Sequence, residues 1–323
     1  MNPARLCRLA SFRYFNGAVL ATFPTSSLSL SSRPRLLLAK HPSPFSSLNR
    51  HLAHSSSRAA NMTQNLESQL TPTLLSKLHE FWFQHLDGPD ALVVPSSNDN
   101  MRWFAGGAEL DGECVNKFGA VLEAIRQGGF TSGADLIAIV KPENPLDWLS
   151  LVILLDQIPR NCYRGDAAAQ VFTVFDPLAL HVALEAIKLH IPDSAPEIRW
   201  RLAYRHWFYL PLMHSEDASV HEMALREYEK LRQDVQTLIS QGKDKTSGED
   251  KYHAEAAKVA QGSKDEALQA ANGYLSFEKK HADIIKEFGR YPHRNKALGR
   301  KPTPQETAYL EAGGETFGQK SKA

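Results

Sequence analysis

The chain has 323 residues, 37 of them basic and 36 acidic, for a formal charge of +1. That sum hides two opposite parts: residues 1–61 carry seven arginines and one lysine with no acid (+8), which leaves 29 basic against 36 acidic residues (−7) in the rest. The acidic body excludes the basic stripe of a nucleic-acid footprint, no apolar run is seen to reach the ~18 residues of a membrane span, and Cys7, Cys114 and Cys162 without a CxxC pair point to reduced thiols.

The acid-free opening, MNPARLCRLASFRYFNGAVL, spaces Arg5, Arg8 and Arg13 among Leu6, Leu9, Phe12 and Phe15. This is the composition of a mitochondrial transit peptide, so residues 1–61 are expected to be a disordered leader directing the chain to the matrix. Met62 stands just before the first acid, Glu67, and initiation there would give a cytoplasmic form.

Residues 62–323 read as a single compact all-helical domain. Pro72 to Leu86 puts Leu74, Leu75, Leu78, Phe81 and Trp82 on one stripe, and a loop rich in Gly, Pro, Ser and Asn is expected over Asp87–Asn100. A second helix, Glu113 to Gln127, aligns Val115, Phe118, Val121, Leu122 and Ile125 and stops at Gly128-Gly129. Leu136 to Val140 is a short apolar run without helical period. LDWLSLVILLDQI, residues 146–158, is apolar nearly all round and marks the centre of the fold, with Pro159 ending its apolar run.

Gly165-Asp166 opens a long helix to about His190, interrupted by Pro177. Another runs from Glu197 to Leu210, where Pro211 ends or kinks it. Glu216 to Ser240 is a charged amphipathic helix, whereas residues 241–262 lack an apolar stripe and read as an inserted solvated loop or exposed helix. Helix resumes over Lys264–Phe288, where His281 shares a face with Ile284, Ile285 and Phe288. A last helix starts at Thr303 with Pro304 and Glu306 as a capping box. Short connections between successive helices predict an antiparallel stack.

Three polar clusters sit at helix ends. The first holds Asp156, Arg160, Asn161 and Arg164. A carboxylate on so apolar a helix requires a cationic partner, from Arg160 four residues on or from Arg290 or Arg294. The second, WFYLPLMHSEDASVHE, turns His214 inward at i+7 from Trp207. Its Ser215 and Asp217 have a plain explanation as a helix cap and first-turn acid, which leaves His214 and Glu216 as site candidates. The third is His281 with FGRYPHRN and LGR: Arg290, His293, Arg294, Asn295 and Arg300. Three arginines within eleven positions repel one another unless carboxylates or a bound anion lie between them.

Sharper chemistries fit less well. His214, Glu216, His281 and His293 lack metal-ligand spacing and stand beside arginines, so no metal site is assigned. Neighbouring arginines would lower the pKa of a Cys162 nucleophile, but a lone cysteine is more often packing. Ser215 beside His214 lacks the nucleophile elbow, and no glycine-rich phosphate loop occurs.

Taken together, FWF at 81–83, WF at 103–104, LLLDQIPRNCYRG ending at Gly165, YLPLMHSED at 209–217, FGRYPHRN at 288–295, LGR at 298–300 and TPQETAYL at 303–310 resemble the domain of unknown function 924 family, within the tetratricopeptide-repeat-like helical superfamily. The resemblance covers about Phe81 to Phe317 and implies an all-helical, antiparallel, tetratricopeptide-like stack. It implies no reaction. Many relatives carry an aliphatic residue where Cys162 stands, which weighs further against a cysteine nucleophile.

Two functional classes follow. In the first, the clusters meet in one site for a small phosphate or carboxylate anion, with Asp156, Arg160, Asn161, Arg164, Glu216, His281, Arg290, Arg294, Asn295 and Arg300 as ligand-binding candidates. Arg160, Arg290 and Arg294 would be the anchoring donors and His214 or His293 a general acid or base. In the second, a helical scaffold binds proteins or peptides and the clusters are buried struts. A metal-assisted or acid/base hydrolase is a further alternative. No cofactor is expected.

Overall fold

The computed structural model describes residues 64–240 and 250–317; the leader and the first part, 241–249, of the stretch 241–262 expected as an insertion lie outside the described residues. Among the described residues all regular structure is helical. Helix α1 (Pro72–Phe83) is capped by Thr71 and buries Leu75, Leu78, Phe81, Trp82 and Phe83.

The stretch 87–100, expected as a loop, instead contains α2 (Gly88–Val93) and the start of α3 (Ser97–Ala105). Its Ser and Asp residues act as caps: Ser96 and Asp99 bond each other's backbone in a capping box. The next helix, α4 (Gly107–Gly128), is longer than its periodicity suggested, and Gly129 ends it at φ 64°. Val115 is 48% exposed there, because the buried stripe runs through Leu110, Cys114, Phe118, Val121, Leu122 and Ile125. Residues 136–140 also belong to a helix, α5 (Gly133–Val140), which Ser132 caps.

Helix α6 (Pro145–Cys162) is the centre of the fold, with every residue from Trp148 to Pro159 buried. Pro159 does not stop it, and the helix runs three residues further to Cys162. Around it pack α1, α4 and α7 (Asp176–Lys188). A 3₁₀ turn (Gly165–Ala168) and a π turn (Val171–Phe175) lead into α7, and the Asp176 N–H bonds the Val171 carbonyl. The π turn widens the helix where Pro177 can donate no hydrogen bond, so the proline is absorbed and no break follows. Residues Gly165–Lys188 are long and apolar enough by length and composition to cross a membrane (mean hydropathy 1.5), contrary to the expectation from sequence, and half of that window is buried inside the protein.

After the short α8 (Ile191–Ser194), the helix expected over 197–210 is broken into short pieces: α9 (Pro196–Arg199), α10 (Leu202–Arg205), a 3₁₀ turn (His206–Phe208) and α11 (Leu210–Met213), whose first turn holds Pro211. Aromatic packing replaces helical hydrogen bonding here, with Trp207 against Trp82, Trp103 and His206. Helix α12 (Ala218–Ser240) begins after Asp217, whose carboxylate accepts from the Ser219 N–H, so Asp217 caps the helix and Ser215 does not.

Residues 251–262 form α13 (Lys251–Gly262), which buries Ala256, Ala257 and Ala260. Its stripe consists of small residues, which a search for large apolar side chains passes over. Helix α14 (Lys264–Phe288) packs along α12, and His221 early in α12 meets Glu278 late in α14, so the two run antiparallel. Gly289 ends α14 at φ 68°, a 3₁₀ turn (Pro292–Arg294) follows, and α15 (Pro304–Glu311) carries the expected capping box from Thr303 and Glu306.

Candidate functional site

Asp156 on α6 is 1% exposed and takes three partners: His214 Nδ1 at 2.7 Å, Gln157 Nε2 at 2.6 Å and Arg160 at 3.3 Å. Burial pushes its carboxyl upward, but His214 and Arg160 outweigh that and hold it at about 2. Asp156 is therefore an ionised acceptor at neutral pH, and His214 must carry its proton on Nδ1. Burial and Arg160 lower the His214 pKa against the pull of Asp156, so its imidazole is neutral. Its Nε2 makes no hydrogen bond among the described residues.

Arg160 bridges two carboxylates, since the terminal nitrogen that reaches Asp156 also lies 2.6 Å from Asp176. Asp176, delivered by the π turn, was not among the residues singled out from sequence. Its signal was the same as that of Asp156: a lone acid in an apolar helical run, here VFTVFDPLAL. On its other side stands Arg294, 5% exposed and 3.4 Å from Asp176.

Arg294 donates no hydrogen bond within geometric limits among the described residues, and its Nε is buried without a partner. Phe172 and Tyr291 cover it, each ring centroid 4.5 Å from Cζ. Burial lowers its pKa, only partly offset by Asp176. The Nε atoms of Arg160 and Arg300 and Nδ1 of His293 are also buried without partners.

The other two arginines of the third cluster are paired. Arg300 makes a fork to Glu216 (2.6 and 3.0 Å), and Glu216 also accepts from the Tyr291 N–H. Arg290 forks onto Glu306 (2.6 and 2.8 Å), so the capping-box acid does double duty and Arg290 is not free to anchor a ligand. Arg164 is tied at the surface to Asp111 and to Asn161, and among the described residues neither Arg164 nor Asn161 makes a side-chain hydrogen bond or ion pair with Asp156, Asp176 or Arg294. Asp111 was absent from the sequence reading and Glu306 entered it only as a capping-box acid, because neither is set apart by pattern as an arginine partner.

The other two candidate histidines, His281 and His293, are neutral. His281 bonds the Phe277 carbonyl and stacks on Phe317, and burial drives its pKa down to about 2. His293 is lowered to about 3 by burial and by Arg294. Asn295 is buried, with Oδ1 unpartnered. Behind them Tyr291 donates to the Met213 carbonyl next to His214, and His221 bonds both Glu278 and the Ser215 carbonyl. These bonds fix the backbone that carries His214 and Glu216.

Asp156, Asp176 and His214 present potential metal-ligand atoms within 4.8 Å of one another. A divalent cation does not fit them as arranged, because Arg160 occupies Oδ1 of both carboxylates and His214 spends Nδ1 on Asp156. Cys162 fails as a nucleophile for a different reason: burial outweighs Arg164 and pushes its thiol up to about 11.

Fold and centre together define an all-helical protein built round a buried arginine, histidine and carboxylate cluster. The chain belongs to the family described as "Bacterial protein of unknown function (DUF924)", whose model matches residues 78–314. It is similar to the solved structure of a protein of unknown function from Agrobacterium tumefaciens, with 28% identity, a TM-score of 0.48, and coverage of 74% of this chain and 98% of that one. Comparison with the curated proteins finds no match.

Proposed function

We propose that the centre formed by Asp156, Arg160, Asp176, His214 and Arg294 binds a small anion. One observation carries this reading: Arg294 is nine-tenths buried yet donates no well-formed hydrogen bond. A buried polar group left unmatched costs about 1–3 kcal/mol, more when charged, and an anion's oxygens would remove that cost. Arg160 and His214 reach the edge of the cluster, with side chains 18% and 16% exposed, which supports access from solvent. His214, oriented by Asp156 and neutral, is the group suited to proton exchange at Nε2.

The test is thermal stabilisation of the full chain by small carboxylates, phosphate and sulfate. The reading expects a concentration-dependent rise in Tm for wild type that Arg294→Met abolishes. If no small anion stabilises the wild type, the site is a structural cluster. That competing reading, a scaffold for proteins or peptides, draws on the Arg290–Glu306 and Arg300–Glu216 struts and on Met101 and Phe104, each more than half exposed. The same proposal treats Gly165–Lys188 as a core helix and assigns the chain to the mitochondrial matrix when the leader is used, with a cytoplasmic form started at Met62. N-terminal sequencing from both compartments tests the two starts, and a single start would discard the dual assignment.

A further inference from the structure

The charges of the centre limit what it can take. Asp156 and Asp176 face Arg160 and Arg294, two negative against two positive, and the adjacent Arg300–Glu216 pair sums to zero. The three histidines of the site are neutral. Any anion entering this neutral site adds a net negative charge to largely buried surroundings, which desolvation opposes unless a proton comes with it.

His214 is where that proton goes. Around its ring stand Asp156, Arg160, Asp176 and His281, and it alone of the three histidines is hydrogen-bonded to a carboxylate. With Nδ1 already donating to Asp156, Nε2 is the atom left to take the proton, and the imidazolium is then stabilised by Asp156. His281 spends Nδ1 on a carbonyl, and His293 adjoins Arg294. A dianion would require a second proton on one of these poorer sites.

The shape of the donor points the same way. Aromatic rings lie against Arg294, so it has its N–H edge left to offer. An in-plane edge matches the two oxygens of a carboxylate.

We infer that the anion of this site is a small carboxylate monoanion, held edge-on by Arg294 and entering together with one proton taken at Nε2 of His214. This rests on the anion-site reading above and narrows it to a chemical class.

Isothermal titration calorimetry on the full chain, with acetate and with sulfate as probes and in two buffers of different ionisation enthalpy, tests both parts. Acetate is expected to bind with uptake of about one proton, its affinity falling about tenfold per pH unit between about pH 7 and pH 8. Sulfate is expected to bind at least about tenfold more weakly, since it demands a second proton. His214→Gln should abolish both the proton uptake and the pH slope. Sulfate binding as tight as acetate overturns the carboxylate class, and acetate binding without proton uptake overturns the role of His214; in both cases the anion site itself survives. If neither anion binds the wild type, the site reading fails and this inference falls with it.

Discussion

Replacing Arg294 by methionine separates a site residue from a structural strut. A strut whose partner is left charged and buried costs about 3–5 kcal/mol when broken, whereas exchanging a poorly matched buried ion for an apolar side chain of similar volume is neutral or stabilising by about 1–4 kcal/mol. Arg294 falls in the second class. Among the described residues its only ion-pair partner is Asp176 at 3.4 Å, and Asp176 keeps Arg160 at 2.6 Å when Arg294 is gone. Methionine also retains contact with the Phe172 and Tyr291 rings that cover the guanidinium. The expected result for Arg294→Met in the absence of added anions is therefore an unchanged or raised stability. At about 2–4 °C of Tm per kcal/mol for a protein of this size, that means a shift between zero and several degrees upward. Arg300→Met is the control: it strips Glu216 of a two-bond fork and should lower Tm. Urea denaturation followed by circular dichroism measures both variants on one scale. A loss of 3 kcal/mol or more in Arg294→Met would refute the reasoning and make Arg294 a strut.

Further consequences are open to measurement. His79 and His206 are held at about 4, His293 at about 3 and His281 at about 2, all by burial, against an ordinary value near 6.5. Because the unfolded chain binds these protons first, stability is full above about pH 6.5 and falls as the pH drops below it, by about 1.4 kcal/mol per unit per histidine until each folded value is reached. Equilibrium unfolding measured from pH 7 to pH 5 should show this steep loss, and a flat profile would contradict neutral burial. Cys114 and Cys162, pushed up to about 12 and about 11 by burial, should resist alkylation at mildly alkaline pH in the folded protein and react on unfolding. Thr303→Ala removes the hydroxyl that caps α15 and should cost about 1 kcal/mol by denaturant titration.

The sequence was most readable where apolar periodicity and burial coincide. The all-round apolar character of residues 146–158 marked the central helix, and the stripe Leu75, Leu78 and Trp82 marked α1. Cap residues were harder to interpret, because Ser, Asn and Asp begin helices as readily as they form loops; α2 and α3 were hidden for that reason. Prolines marked the ends of apolar runs better than the ends of helices. Pro159 sits inside a helix that continues to Cys162, while Pro211 begins a new turn after a stretch already broken by aromatic packing. Of the site, Asp156 with Arg160 followed from the cost of burying a lone carboxylate, and His214 from its position one turn beyond Pro211. Pairings across long separations could not be read that way: which arginine meets Glu216, Glu306 or Asp176 depends on how the chain end folds back over α7 and α11. Charge spacing alone made Arg290, Arg294 and Arg300 equivalent, and only Arg294 lacks a fork.

The most direct test is a crystal structure of the protein soaked in acetate, set beside the same experiment on Arg294→Met. The account expects acetate density within hydrogen-bonding distance of the Arg294 guanidinium edge and of His214 Nε2, and none there in the variant. Acetate-soaked wild-type crystals in which the guanidinium edge contacts only protein atoms would contradict it.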